Sequence, residues 1–199
     1  QDYTLKGSLG RELKDLTVGV IGTGRIGRTV VRDLSGFGCQ VLAYDLYPNE
    51  EAGRYAQYVP LEELFARADV ITLHTPLTDE NVHLINEATM SGMKDGVVIV
   101  NTARGPLIDI PALITAIEKG KIGAAALDVV ENEFGLYYYD RKSDVLSNRE
   151  LAILRGFPNV TVSHHMAFYT DNAIRTMVAD SLAGCKCFME GKENPWRVL

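Results

Sequence analysis

The chain has 199 residues, 46% of them hydrophobic and 23% charged, enough apolar material for one packed core and too much for a disordered chain. Twenty-six acidic residues against twenty basic ones leave a formal charge of −6 with no cluster of lysine or arginine, which argues against a nucleic-acid partner. The longest apolar runs, such as Val97–Val100, fall far short of the ~20 residues that cross a bilayer, so no membrane partner is expected, and no signal peptide opens the sequence.

Short β-branched runs alternate with longer segments of helical period, the pattern of βαβ units. Thr17–Ile21 predicts the first strand. A helix beginning near Arg25 follows, with Ile26, Val30, Val31, Leu34 and Phe37 on one face until Gly36 and Gly38 end it. Gln40–Tyr44 predicts a second strand, Tyr58–Val59 a short weak one, and Leu61–Arg67 a helix opened by Pro60. Val70–Leu73 and Val97–Val100 read as strands, and Ile110–Lys119 as a helix with Pro111 near its start and Gly120 at its stop. Ala124–Asp128 and Val160–Ser163 complete the strands, and Thr170–Glu190 is the longest helix. Glu131–Asn148 is the one long stretch without clear periodicity, a length that marks a functional or covering loop.

Cys185 and Cys187 lie two apart on the last predicted helix, pointing to different sides with no second ligand pair, so no metal site is expected. With Cys39 they read as structural thiols of a reducing, cytoplasmic compartment. Strands of four or five apolar residues with little alternation are buried on both faces. The expected fold is therefore α/β, a doubly wound parallel sheet in three layers of the Rossmann dinucleotide-binding type.

The first strand runs into Gly22-Thr23-Gly24-Arg25-Ile26-Gly27. Gly22 permits a tight turn, Gly24 lets backbone approach a pyrophosphate, and Gly27 lets helix and strand pack closely, while the helix N-terminus around Arg25 and Ile26 offers amides to phosphate. Asp45 ends the second strand, eighteen residues after Gly27, where a carboxylate accepts hydrogen bonds from adenosine ribose hydroxyls and repels a 2′-phosphate. NAD is the expected cofactor, with Arg54 nearby as the residue that weakens the choice over NADP. His74-Thr75-Pro76 and Asn101-Thr102-Ala103-Arg104-Gly105 each follow a strand, at the edge where open parallel sheets place ligands, so Thr75, Pro76, Asn101 and Ala103 join the candidate cofactor contacts.

Four ordered motifs, Val18-Gly-Val-Ile-Gly-Thr-Gly-Arg-Ile-Gly27, Val100-Asn-Thr-Ala-Arg-Gly105, Asp128-Val-Val-Glu-Asn-Glu133 and His165-Met-Ala-Phe-Tyr-Thr170, resemble the D-2-hydroxyacid dehydrogenases over nearly the whole chain. The similarity is greatest to the branch containing D-lactate and D-2-hydroxyisocaproate dehydrogenases. It implies that Arg104 binds substrate, Glu133 is the acidic partner of the general acid/base His165, and Asp128 meets the nicotinamide end of NAD. The chemistry suits these roles. A guanidinium grips a carboxylate in bidentate fashion, and an imidazole exchanges the hydroxyl proton while a neighbouring carboxylate favours its charged form. Singly, Arg104 also fits a surface ion pair, Glu131 or Glu133 a solvated carboxylate, and His165 a helix cap.

His164 competes with His165, and Glu131 with Glu133; family register selects His165 and Glu133. His74 resembles an active-site histidine of the lactate branch and fits a hydrogen-bonded strand-end residue equally well. His83 reads as ordinary surface, and Tyr137-Tyr138-Tyr139 as aromatic cover without a catalytic role.

The resemblance also implies two domains, the substrate domain built mainly from the N-terminal part. The expectation is an NAD-binding domain over 1–199, with linker segments at 1–15 and 190–199, the substrate domain absent from this chain, and little turnover by the chain alone. The expected substrate is a small 2-oxo or 2-hydroxy acid, and the full-length protein is expected to be a homodimer. A corepressor-like, NAD-responsive binding module shares the fold and much of the constellation; a basic surface or peptide groove would favour it, and the acidic composition leans away.

Overall fold

The computed structural model describes residues 9–140, 142–145 and 148–196. They form two compact units, one running through His164 and one beginning at His165.

The first unit is built on seven strands: β1 (Thr17–Ile21), β2 (Gln40–Tyr44), β3 (Gln57–Tyr58), β4 (Val70–Leu73), β5 (Val97–Asn101), β6 (Ile122–Leu127) and β7 (Val160–Val162). All pairings are parallel, and the spatial order is β3-β2-β1-β4-β5-β6-β7. Six helices lie between them: α1 (Arg25–Ser35), α2 (Glu50–Gly53), α3 (Leu61–Arg67), α4 (Glu87–Ser91), α5 (Ile110–Glu118) and α6 (Arg149–Leu154).

Both faces of the sheet are covered, which is why the strands do not alternate in polarity. Val18, Val20 and Val41 pack with Val31 of α1 and Ala52 of α2 in a small core. Ile21, Leu42, Ile71, Leu73, Ile99 and Leu127 belong to a larger core closed by Leu64 and Phe65 of α3, Leu113 and Ile117 of α5, and Leu151 and Leu154 of α6. Each such buried Leu or Ile contributes ~1.5–3 kcal/mol.

The chain steps outward from β1 to β2 and β3, then returns to lay β4 on the other side of β1. That reversal opens a crevice beyond the carboxyl ends of β1 and β4, the usual ligand position in a doubly wound sheet.

Some boundaries differ from the sequence reading. Strand β6 begins at Ile122 rather than Ala124 and stops at Leu127, leaving Asp128 just past its end. Gly123 hid the start, because glycine weakens a strand signal. It is needed because a Cβ there would stand 2.4 Å from the Gly96 carbonyl oxygen, where the β5–β6 register shifts. Helices α2, α4 and α6 had no periodic signal; they have four to six residues and are begun by the side chains of Asn49, Asn86 and Asn148. No helix or strand occurs among the described residues of the 131–148 stretch.

The second unit consists mainly of α7 (Asp171–Met189), whose start is capped by the Thr170 hydroxyl accepting from the Ala173 amide at 3.2 Å. The linker segments expected at 1–15 and 190–199 lie partly outside the described residues; within the first, a turn at Leu13–Asp15 places Leu13 against the small core. Among the described residues no helix is long and apolar enough to cross a membrane.

Candidate functional site

Each glycine of the β1–α1 turn has a distinct environment. Gly22 has a φ of 91°, and a Cβ on it would stand 2.6 Å from the His74 carbonyl carbon at the exit of β4. Gly27 sits in the first turn of α1, where a Cβ would fall 1.8 Å from the Gly22 carbonyl oxygen. Only hydrogen at both positions lets helix, turn and β4 meet. Gly24 differs: it is the N-cap of α1, and a Cβ there would meet nothing within 4 Å. It leaves open space in front of amides that have no intrahelical partner, and α1 carries no acidic residue in its first turn. Arg25 and Ile26 are exposed beside it.

Opposite this turn, Asp45 stands just past β2, which ends at Tyr44 rather than at the aspartate. Together with Gly22, Thr23, Gly24, His74, Thr75 and Pro76 it lines a crevice of about 720 Å³. The Asp45 carboxylate accepts from the Thr23 amide and hydroxyl and from the Tyr47 amide. Arg54 caps the end of α2 and does not line the crevice.

The His74 backbone amide donates to the Ile21 carbonyl at 2.7 Å, and its Nε2 lies 2.9 Å from the Thr72 hydroxyl. Burial pushes its pKa down to about 4, so at neutral pH the ring is uncharged. It is a hydrogen-bonded strand-end residue that also forms crevice wall.

A second group gathers at the ends of β5 and β6. Asn101 is fully buried; its Oδ1 accepts from the Ala103 amide and its Nδ2 donates to the Arg104 carbonyl, both at 2.9 Å. This folds the turn that presents Arg104, whose exposed guanidinium donates to the Ala103 carbonyl at 2.7 Å. The turn presses against the β6 exit, since a Cβ on Gly105 would stand 2.2 Å from the Val130 carbonyl. There Glu133 Oε2 accepts from the Val130 amide at 3.0 Å. Asp128 is buried; its amide donates to the Asn101 carbonyl, and its Oδ1 accepts from the Ser163 hydroxyl at 2.6 Å. Arg104, Asp128 and Glu133 are thus brought to one edge of the sheet.

Tyr137 packs against the large core with its hydroxyl sealed from solvent. Burial, together with the charges of Glu133 and Asp128, pushes its pKa up to about 12. Tyr138 and Tyr139 are exposed. His164 lies 6.4 Å from the Tyr137 ring, centroid to centroid, whereas His165 opens the second unit in a left-handed conformation with φ 53°.

His83, read from the sequence as surface, is a tie point. Its Nε2 lies 2.7 Å from Glu131 Oε1, its Nδ1 4.0 Å from Asp109 Oδ2, and its amide donates to the Pro106 carbonyl at 2.8 Å. Thr23, Tyr58 and Ser163 were likewise not singled out, and no local pattern marks them; their partners arrive from distant parts of the chain.

Residues 2–167 match the family model of the D-isomer specific 2-hydroxyacid dehydrogenase NAD binding domain. The chain belongs to this family of NAD-binding domains. It is 46% identical over 188 residues to an aromatic 2-oxoacid reductase of Clostridium sporogenes, covering 94% of this chain and 57% of that protein. The crystal structure of a D-lactate dehydrogenase from Treponema pallidum superposes with a TM-score of 0.92 at 41% identity, over 96% of this chain and 58% of that one. That of D-lactate dehydrogenase with NAD⁺ from Lactobacillus jensenii gives 0.91 at 33% identity, over all of this chain and 60% of that one. The chain therefore spans little more than half the length of these relatives. As an NAD-binding domain of this family it fits its cofactor locally: Gly24 leaves the cradle a Cβ would fill, and Asp45 stands across the same crevice.

Proposed function

We propose that this chain is the cofactor-binding part of an NAD-dependent D-2-hydroxyacid dehydrogenase, which interconverts a small 2-oxo acid and its D-hydroxy acid. The observation that carries this reading is the convergence, at one sheet edge, of the open turn at Gly24 and the Asp45 carboxylate with the Arg104 and Glu133 turns.

When bound, NADH would provide the hydride needed at the substrate carbonyl carbon. Arg104, exposed on a turn stiffened by Asn101, holds the substrate carboxylate through paired N–H donors. His165 delivers a ring-nitrogen proton to the carbonyl oxygen as it becomes hydroxyl, and recovers it in the reverse direction. Glu133 stabilises the charged imidazole. Asp128, held by Ser163, would meet the nicotinamide end, and Thr75, Pro76 and Ala103 would complete the cofactor contacts; Asn101, expected among them from the sequence, is fully buried with both ends of its amide spent on the Arg104 turn, and so serves by holding that turn.

The substrate-closing domain lies outside this chain in this reading, with residues 1–15 and 190–199 as linkers, so the chain alone binds NADH and turns over slowly. The whole protein is proposed to be a cytoplasmic homodimer; its three scattered cysteines, Cys39, Cys185 and Cys187, make no disulfide framework in the sequence, which fits a reducing compartment. Fluorescence titration with NADH, followed by assay with pyruvate and 2-oxoisocaproate, tests the proposal. Saturable NADH binding with weak turnover is expected. Absence of saturable binding would overturn the cofactor assignment, and turnover equal to a complete dehydrogenase would overturn the assignment of a missing domain.

A further inference from the structure

The Asp45 carboxylate sits at the end of a hydrogen-bonded chain with one direction. An ionised carboxylate only accepts, so the Thr23 hydroxyl, 3.0 Å from Asp45 Oδ2, must spend its single proton there. The Thr23 amide donates to the same oxygen at 2.5 Å. Tyr58 Oη lies 2.8 Å from Thr23 Oγ1 and must then act as the donor in that contact. The Tyr58 oxygen accepts in turn from the Asn49 amide at 2.8 Å, shorter than its other contact, 3.3 Å to the Asn49 carbonyl. Every proton from Asn49 through Tyr58 and Thr23 therefore points toward Asp45, and such chains polarise one another.

This relay joins elements that are separate in sequence. Tyr58 belongs to the edge strand β3, Asn49 caps α2, Thr23 lies inside the glycine turn, and Asp45 directly follows β2. Thr23 is 1% exposed, so its hydroxyl has no water to turn to. Asp45 Oδ2 is occupied twice, and among the described residues Oδ1 accepts only from the Tyr47 amide at 2.8 Å, so lone-pair capacity remains on Oδ1.

We propose that Thr23 and Tyr58 are positioning residues for cofactor selection, which hold the Asp45 carboxylate so that it accepts from ribose hydroxyls and cannot rotate away from a 2′-phosphate. The proposal rests on the reading that Asp45 faces the adenosine ribose. A loose carboxylate would still tolerate NADH, but it would turn aside for NADPH. The relay therefore acts on the difference between the two cofactors more than on either affinity.

The test is fluorescence titration of the chain with NADH and with NADPH, for the wild type and for Asp45→Ala, Tyr58→Phe, Thr23→Val and Thr23→Ser. Asp45→Ala should collapse the preference for NADH. Tyr58→Phe keeps the ring and removes only the hydroxyl; it should narrow the preference about fivefold, as expected for one lost hydrogen bond to a polar network. Thr23→Val should narrow it at least as much, and Thr23→Ser should restore it. Adding Tyr58→Phe to Asp45→Ala should change nothing further, since the relay would have nothing left to hold. If Asp45→Ala collapses the preference while Tyr58→Phe weakens both cofactors equally or neither, the relay proposal fails and the reading of Asp45 stands. If Asp45→Ala leaves the preference intact, that reading fails and the relay proposal with it.

Discussion

His83 Nε2 lies 2.7 Å from Glu131 Oε1, a contact spanning forty-eight residues that ties the segment after β4 to the start of the loop carrying Glu133. The same residue anchors the Arg104 turn from the other side, through its amide and the Pro106 carbonyl. His83 holds a left-handed backbone at φ 54°, which a non-glycine residue keeps only when its surroundings require it. Replacing it by alanine should cost about 1 kcal/mol of unfolding free energy, the net worth of one part-exposed polar contact, measured by urea denaturation. An unchanged midpoint would show that the ring contributes nothing to the fold.

The three glycines of the cofactor turn should respond differently to alanine. At Gly27 the new Cβ meets backbone at 1.8 Å and neither partner can move without shifting helix against strand. Gly27→Ala should therefore lower stability by about 3 kcal/mol or more. At Gly24 the same change meets nothing within 4 Å, so thermal stability should stay close to that of the wild type. NADH affinity should nevertheless fall about tenfold, because the methyl group enters the cradle. Paired melting and titration curves separate the two effects.

Asn101 holds the Arg104 turn with both ends of its amide while fully buried. Alanine there leaves the Ala103 amide and the Arg104 carbonyl without those partners, at a cost of about 2 kcal/mol. Asn101→Asp should also destabilise, because a carboxylate oxygen would face the Arg104 carbonyl. Denaturation midpoints for the two variants check this directly.

Burial lowers the His74 pKa from its ordinary 6.5 to about 4. The unfolded chain then takes up a proton first as pH falls, so this contribution to stability is complete above pH 6.5 and is lost between 6.5 and about 4. The loss should approach 1.4 kcal/mol per pH unit at its steepest, about 3 kcal/mol in all. Stability of His74→Gln measured against pH should be flatter by that slope; a parallel curve would contradict the assignment.

The fold was readable because its determinants are local. Val18, Val20 and Ile21, or Ile71 and Leu73, declare a strand buried on two faces without reference to any partner, and Gly120 and Thr170 mark helix ends by backbone chemistry alone. Where readability failed, the cause was contact across the chain. Gly123 looks like a strand breaker until Gly96 is seen against it. The short helices α2, α4 and α6 are below the length at which periodicity speaks, and they persist through tertiary packing.

The candidate site divides in the same way. By sequence alone, Gly22, Gly24, Gly27 and Asp45 marked a dinucleotide turn, since the spacing of glycines within one turn and the length of one βαβ unit are properties of contiguous chain. Only the tertiary structure decided that Gly24 faces open space while Gly22 and Gly27 face backbone, that His74 is neutral, that His83 pairs with Glu131, and that Tyr58 reaches Asp45 through Thr23. Those facts depend on which distant segments the assembled sheet brings within hydrogen-bonding distance, and burial then turns that proximity into pKa and orientation.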